Sequence, residues 1–208
     1  MIKNVFLKKL LQNSLFSFFS VVNKRMNHND RRILLYSNLG FRDNVKALYD
    51  FLVENKYYEK YEIVCSCNDY ERFSLEKYPN VTFVNNLKGV LEYFFAGYVF
   101  YCFGKIPILP GKKQEVVQMW HGTPYKAPDE GMLKGHSWNK LYYTHILTSS
   151  AHFIPFWSYA FSFPQEKFIV CGHARNDNLR KIEHYDFGDY DKIVLWAPTF
   201  RFSKTIGY

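Results

Sequence analysis

The sequence alternates short apolar runs with longer amphipathic segments, and each kind of segment predicts one kind of element. Runs rich in Val, Ile, Leu, Phe and Tyr predict β-strands at residues 33–36, 63–65, 81–84, 98–103, 146–148 and 168–171. Apolar residues at helical spacing predict helices at residues 44–55, at about 87–96 and at 151–161. This alternation is typical of an α/β fold, and we expect a Rossmann-like domain of three layers with a mainly parallel sheet.

Two further features of the pattern concern the first helix of the α/β series and the end of the chain. On the helix at residues 44–55, spacings of three and four place four apolar residues on one face: Val45, Leu48, Phe51 and Leu52. Residues 182–191 are polar and turn-prone, as in a linker between domains, and residues 193–197 are apolar and predict a new strand.

The first 28 residues combine basic and apolar side chains. The basic residues are Lys3, Lys8, Lys9, Lys24 and Arg25, and the helical apolar stripe consists of Leu7, Leu10, Leu11, Leu15, Phe18 and Val22. The apolar run is too short to span a bilayer. It predicts a basic amphipathic helix that lies in the interface of an anionic membrane. A helix packed back on the domain is the alternative, and a signal peptide is disfavoured because no small-residue cleavage site follows.

A strand-like run ends at a histidine in the middle of the chain. Residues 116–120 are mostly apolar, and Gly122 and Pro124 end the run immediately after His121. His121 is therefore predicted at the carboxyl end of a parallel strand, where ligands bind in open α/β sheets. An imidazole there can act as a general base near neutral pH. The alternative is a histidine that is simply hydrogen-bonded within a loop.

Other polar side chains follow predicted strands or lie in long loops. Ser149 and Ser150 follow the strand at residues 146–148, where either can cap a helix whose N-terminus can also bind an anion. Lys126 and His136 lie in a loop predicted at residues 124–138 and are candidate phosphate contacts. The loop at residues 37–41 lacks the G-x-G-x-x-G pattern, so we assign no nucleotide site to it.

Composition indicates a folded domain with an anionic partner. Hydrophobic residues make up 48% of the 208 residues, which excludes disorder, and 27 Lys and Arg exceed 19 Asp and Glu to give a net charge of +8. The basic residues are scattered and no nucleic-acid module is present, so nucleic acid is not an expected partner. The four cysteines, Cys65, Cys67, Cys102 and Cys171, are predicted to be buried reduced thiols, and no second ligand pair at zinc spacing predicts a metal site.

Five motifs in order resemble one enzyme family. Residues 120–126 carry W-H-G-T-P-x-K, residues 41–49 read FRDNVKALY, and the remaining motifs lie at residues 148–150, 172–177 and 197–201. Together they resemble the CDP-glycerol glycerophosphotransferases of teichoic acid and capsule synthesis. The resemblance runs from about residue 33 to residue 201. It implies a GT-B-like enzyme with two Rossmann-like halves, of which this chain holds the N-terminal one.

The resemblance also implies a division of the chain and roles for its residues. After the membrane-associating helix that the residue pattern predicts at residues 1–28, residues 29–186 would be the acceptor-side domain and residues 187–208 the start of a truncated nucleotide-binding domain. His121 would be the catalytic base. Substrate contacts would come from Thr123, Lys126, Ser149, Ser150, Arg175, Asp177, Thr199 and Arg201. His173 and Ala174 stand where the family has an aromatic residue and a proline, so the role of His173 stays open.

The activity implied is transfer of glycerol phosphate from CDP-glycerol to a hydroxyl of a lipid-linked or polymeric acceptor, with release of CMP. No cofactor is expected. The expected partners are CDP-glycerol, a lipid-linked glycerol phosphate acceptor and an anionic membrane surface, at the cytoplasmic face of the cell membrane. Alone, the chain would be an inactive fragment. The alternative is a non-catalytic, membrane-associated module that binds an anionic polymer.

Overall fold

The computed structural model describes residues 14–73, 77–103, 106–122, 142–181 and 186–196. Its centre is a seven-stranded, all-parallel sheet in the order β3-β2-β1-β4-β5-β6-β7. The strands are β1 (Asn29–Ser37), β2 (Glu62–Cys67), β3 (Val81–Val84), β4 (Ala96–Tyr101), β5 (Glu115–Gln118), β6 (His145–Thr148) and β7 (Phe168–Val170). The predicted α/β fold with a parallel sheet is confirmed.

Helices cover both faces of this sheet. They are α1 (Leu15–Asn23), α2 (Asp43–Glu54), α3 (Asn86–Tyr93), α4 (Ile154–Phe161) and α5 (Asn178–Lys181). Successive strand residues point to opposite faces, so Leu35 packs in one apolar cluster with α2 and Leu34 packs in another with α3. These clusters on the two faces of one sheet form the three layers that the sequence predicts.

Two predicted details of the helices are wrong. Phe51 is 52% exposed, and Tyr49 takes the inner position on α2, in edge-to-face contact with Phe41 at 5.3 Å. The helix predicted at about 87–96 ends at Tyr93, and Ala96 already belongs to β4. The buried Gln114 side chain explains the early end, because its amide donates to the carbonyls of Tyr93 and Ala96 at 2.7 and 2.9 Å.

Two other predictions, both in the carboxyl-terminal half of the chain, are wrong. Residues 186–196 contain no strand, and Val194, Leu195 and Trp196 of the predicted strand are 85–87% exposed. An apolar run forms a strand when another strand pairs with it, and nothing within the described ranges pairs with this one. Cys171 is exposed, whereas the other three thiols are buried as predicted.

The amino-terminal helix α1 is packed on the domain and also leaves an apolar face open. Phe16 and Phe19 pack against the cluster around α3. Leu15, Phe18 and Val22, which belong to the predicted apolar stripe, are 45%, 64% and 36% exposed. Among the described residues, no helix has the length and hydropathy needed to cross a bilayer. Packing against the domain and an exposed apolar face that could meet a membrane are therefore compatible in one structure.

Candidate functional site

The order of the strands reverses between β1 and β4, and this point locates the crevice of the sheet. β1 continues to β2 on one side, while the chain returns to β4 on the other. In open α/β sheets, ligands bind outside the carboxyl ends of the strands at such a switch point. The segments that meet there follow β1, β4 and β5, and the last of them carries His121.

His121 lies against two aromatic rings at this edge. Its imidazole is stacked on Trp120 at 4.3 Å and on Phe103 at 5.2 Å between ring centroids. Burial lowers the pKa of the His121 imidazole, opposed by the Asp43 carboxylate and assisted by the Arg175 guanidinium. The ring is therefore neutral at pH 7, although the residue remains partly exposed to solvent. A neutral imidazole that solvent can reach is the form that accepts a proton.

The turn that delivers His121 is strained. Trp120 has a φ of +54°, in the left-handed region that bulky side chains avoid. Its amide N–H donates to the Gln118 side chain at 3.1 Å. Asp43 at the start of α2 also has a positive φ, of +63°. Strain of this kind persists where the surroundings determine the backbone, and it concentrates at functional sites.

Arg175 joins the His121 turn to the start of α2. Its guanidinium donates to the Asp43 carboxylate at 2.7 Å and to the His121 carbonyl oxygen at 2.8 Å. The Asp43 side chain is 12% exposed and that of Arg175 is 39% exposed, so this ion pair is sheltered on its acidic side. The fork of the guanidinium thus fixes the backbone of His121 relative to α2.

Asn44 is the buried centre of the same network. It is completely inaccessible to solvent. Its side-chain amide donates to the Trp120 carbonyl at 2.8 Å, and its side-chain oxygen accepts from the Arg175 backbone N–H at 3.0 Å. One short side chain therefore connects three segments that are far apart in sequence.

His173 lies beside Asn44 and is 8% exposed. Its Nδ1 is 3.5 Å from the amide nitrogen of Asn44, and its Nε2 is a buried atom without a hydrogen-bond partner in the part of the chain that the structure describes. Burial lowers the pKa of His173, and the Arg175 charge lowers it further, against the effect of Asp43. The buried ring is therefore mainly neutral at pH 7 in the folded state.

The burial of His173 predicts a loss of stability in mild acid. As the pH falls through about 6.5, the unfolded chain protonates this histidine before the folded chain does, so the free energy of unfolding falls by at most about 1.4 kcal/mol per pH unit until the folded chain is protonated too. His173→Gln should reduce this slope just below a pH of about 6.5, measured by urea unfolding. Part of the slope should remain, because burial also lowers the pKa values of His28 and His121. The exposed His152→Gln is the control, and equal slopes for both variants would contradict the prediction.

Of the predicted site residues, the structure brings His121 and Arg175 together. Ser150 caps the helical turn at Ala151–Phe153 and accepts from the His152 N–H at 3.2 Å. Ser149 lies next to it at the end of β6, on the same edge of the sheet as His121. Asp177 is exposed in the turn that also contains Arg175. Five further predicted residues lie outside the described ranges, and they are Thr123, Lys126, His136, Thr199 and Arg201.

Sequence reasoning gave no role to Asp43, Asn44 or Phe103. Asp43 and Asn44 lie in the motif FRDNVKALY at residues 41–49, directly after the loop that follows β1. In a sequence, an acidic residue and an amide at the start of a helix are typical of a helix cap. This pattern alone does not indicate contacts with distant segments. Among the described residues, no group of three His, Cys, Asp or Glu side chains could hold a metal ion.

Comparisons with known proteins identify one family and several similar proteins. The model of the family CDP-Glycerol:Poly(glycerophosphate) glycerophosphotransferase matches residues 17–208. The teichoic acid poly(glycerol phosphate) polymerase of Bacillus spizizenii is 25% identical over 199 residues, which cover 80% of this chain and 48% of the polymerase. The teichoic acid glycerol-phosphate transferase of Staphylococcus aureus is 24% identical over 236 residues, covering 99% of this chain and 59% of the transferase. The chain thus spans about half to three fifths of the curated relatives it matches.

Among solved structures, the wall teichoic acid polymerase TagF is similar in fold. The match has a TM-score of 0.61 at 20% identity and covers 86% of this chain and 46% of TagF. A histidine variant of TagF soaked with CDPG matches with a TM-score of 0.60 at 18% identity, over 83% of this chain and 46% of that one. At these identities the likeness concerns the fold alone, and it confirms the fold class expected for half of a GT-B-like enzyme.

Proposed function

Because this chain belongs to the CDP-glycerol:poly(glycerophosphate) glycerophosphotransferase family, we propose that it provides the acceptor-side half of an enzyme that transfers glycerol phosphate from CDP-glycerol to an acceptor hydroxyl. The observation that carries the proposal is the His121 site. A neutral imidazole lies at the carboxyl edge of the sheet, and Arg175 holds its backbone against α2. The soaking of a TagF variant with CDPG supports CDP-glycerol as the donor.

In the proposed reaction, His121 removes the proton from the acceptor hydroxyl as its oxygen attacks the phosphorus that bears glycerol. The bond from that phosphorus to the bridging oxygen breaks, and CMP leaves with the bonding electrons. The new phosphodiester joins the acceptor to glycerol phosphate. Arg175 acts as a positioning residue, because both of its described side-chain hydrogen bonds are to Asp43 and the His121 backbone.

Substrate contacts would come from loops around this edge. Ser149 and Ser150 follow β6, whose carboxyl end neighbours that of β5, and Asp177 follows β7. We assign the phosphate groups to Ser149, Ser150, Thr123 and Lys126, and a separate substrate contact to Asp177. Thr199 and Arg201 would contact the donor diphosphate, since an arginine suits a bidentate phosphate contact. In this assignment, residues 29–186 form the acceptor-side domain and residues 187–208 begin the nucleotide-binding one.

The acceptor would be a lipid-linked or growing glycerol phosphate chain at the cytoplasmic face of the membrane. Supporting this, α1 carries the exposed residues Leu15 and Phe18 and is followed by the basic Lys24 and Arg25. A helix with an apolar face and adjacent cations suits the interface of an anionic bilayer. The alternative function, a non-catalytic module that binds an anionic polymer, draws on the same basic surface.

The proposal is tested by measuring CMP release from CDP-glycerol with a lipid-linked glycerol phosphate acceptor. We expect no measurable transfer by residues 1–208 alone, since the donor nucleotide is assigned mainly to a second half. The protein that the complete gene encodes, or this chain joined to the carboxyl-terminal half of the Staphylococcus aureus relative, should transfer glycerol phosphate. Binding of the acceptor with no transfer by the complete gene product would favour the non-catalytic module.

A further inference from the structure

A cavity of about 740 Å³ lies between the end of α1 and the segment that precedes β5. Its walls include Asp30 at the start of β1 and Gly97 at the start of β4. It therefore opens at the amino edge of the sheet, opposite the edge that carries His121. β4 has six residues, so the two edges are roughly 20 Å apart at a rise of about 3.3 Å per residue. The cavity shares no residue with the proposed active site.

The charge of the cavity is strongly positive. Among the described residues, four with cationic side chains line it, and they are Lys24, Arg25, Lys112 and Lys113. Asp30 is the one acidic residue among the described lining residues, and all five residues are exposed. Four positive charges against one negative charge around the same cavity favour an anionic ligand such as a phosphodiester.

A buried polar network fixes the two cationic segments relative to each other. The Asn23 side chain is fully buried and donates to the Gln114 side-chain oxygen and the Leu109 carbonyl, each at 2.9 Å. The His28 Nε2–H donates to the Asn23 side-chain oxygen at 3.0 Å. Its ring lies against Gly111, where any added Cβ would be 2.1 Å from the ring. The His28 ring restrains Gly111 and the Asn23 side chain restrains Gln114. The backbone of Lys112 and Lys113, which lies between them, is therefore restrained as well.

An exposed apolar row adjoins the cavity. It runs along α1 and consists of Leu15, Phe18, Val21 and Val22. Val21 is 48% exposed and also lines the cavity, so the apolar row and the cationic walls form one continuous surface. The opposite side of α1, with Phe16 and Phe19, packs against the domain and fixes the direction in which the row points.

We propose that this surface is a binding site for an anionic phospholipid, with the phosphate of the headgroup among the four cations and the acyl region against the α1 row. A soluble phosphate polymer would satisfy the cations and leave the apolar row in water, whereas a bilayer satisfies both. The site deepens the proposed membrane association. It is separate from the chemistry at His121, so vesicle binding without donor or acceptor tests it independently of glycerol phosphate transfer.

The test measures binding of the full chain to vesicles of phosphatidylcholine mixed with phosphatidylglycerol, compared with pure phosphatidylcholine. Each basic residue near an anionic surface contributes a similar increment of affinity, so Lys112→Gln with Lys113→Gln should weaken binding to the anionic vesicles roughly 10- to 30-fold. Phe18→Ser should also weaken it, and that loss should persist at high salt, where screening removes the electrostatic part. Lys112, Lys113 and Phe18 are all exposed, and circular dichroism checks that the variants fold.

A matched control separates a defined site from net charge. Arg72→Gln with Lys88→Gln removes two positive charges at exposed positions that follow the carboxyl ends of β2 and β3, on the edge of the sheet opposite the cavity. This double variant should bind anionic vesicles within about twofold of the unchanged chain, since charges beyond a Debye length of about 10 Å contribute little. Equal losses in the two double variants would overturn the proposal. It would also be overturned if soluble polyphosphate bound in a Lys112- and Lys113-dependent manner and the anionic vesicles did not bind.

Discussion

Replacing His121 with Ala should lower the turnover of glycerol phosphate transfer by roughly 100- to 10,000-fold, the range for loss of a general base. The measurement is CMP release by the complete gene product at saturating acceptor. Donor affinity should change little, because the base acts on the acceptor hydroxyl in the transition state. The ring is well suited to this role, since burial against Trp120 and Phe103 keeps it neutral while solvent still reaches it.

The control for this variant is His145, which lies on the same sheet at its amino edge. His145 begins β6 and lies 3.1 Å from the Glu115 carboxylate. His145→Ala should keep turnover within a few-fold. The pH profile gives a second readout: the acid limb set by His121 should fall below the ordinary histidine pKa of about 6.5, because burial lowers its pKa. Near-normal turnover in His121→Ala would make His121 a structural loop residue.

The sheet was predictable because each strand is encoded locally. Each apolar run is short, and the amphipathic segments between the early runs have the length of a crossover helix, so the order of elements follows from nearby residues. Residues 116–120 also predict where His121 falls, since a strand followed by Gly122 and a proline ends at one defined point. The carboxyl edge then follows from the parallel arrangement alone.

The network around His121 was not predictable, because its members are distant in sequence. Asn44 contacts residues 76 and 131 positions away, and no pattern in a single sequence encodes such pairs. The strained φ of Trp120 likewise depends on what surrounds it, since its local sequence reads as an ordinary strand end. The resemblance identified Arg175 as a substrate contact, whereas its described contacts in the structure are to Asp43 and His121.

The amino-terminal helix shows the same limit in another form. Hydrophobic spacing selected Leu15, Phe18 and Val22 as one stripe, and these residues are exposed, while Phe16 and Phe19 pack inward. Periodicity identifies which residues share a face. It does not say whether that face meets the protein or a membrane, because both bury apolar surface. The contacts of Asn23 and Ser20 with the segment before β5 decide the orientation.

Replacing Asn44 with Ala should lower the free energy of unfolding by about 2 to 5 kcal/mol, a large part of the roughly 5–15 kcal/mol of a typical domain. The change leaves two partly buried backbone groups without their partner, the Trp120 carbonyl and the Arg175 N–H. Leaving each such group unsatisfied costs about 1–3 kcal/mol. The measurement is urea unfolding at neutral pH.

Asn55→Ala is the matched control, at the other end of the same helix. Its side chain donates to the Phe51 carbonyl at 2.8 Å from an exposed position, so its loss should cost less than about 1 kcal/mol. Asn44→Asp tests the direction of the hydrogen bonds. Its carboxylate could still accept from the Arg175 N–H, but it would face the Trp120 carbonyl oxygen at close range, so this variant should also be destabilised near neutral pH. An Asn44→Ala cost equal to that of Asn55→Ala would show that the strained turn before His121 is held by other contacts.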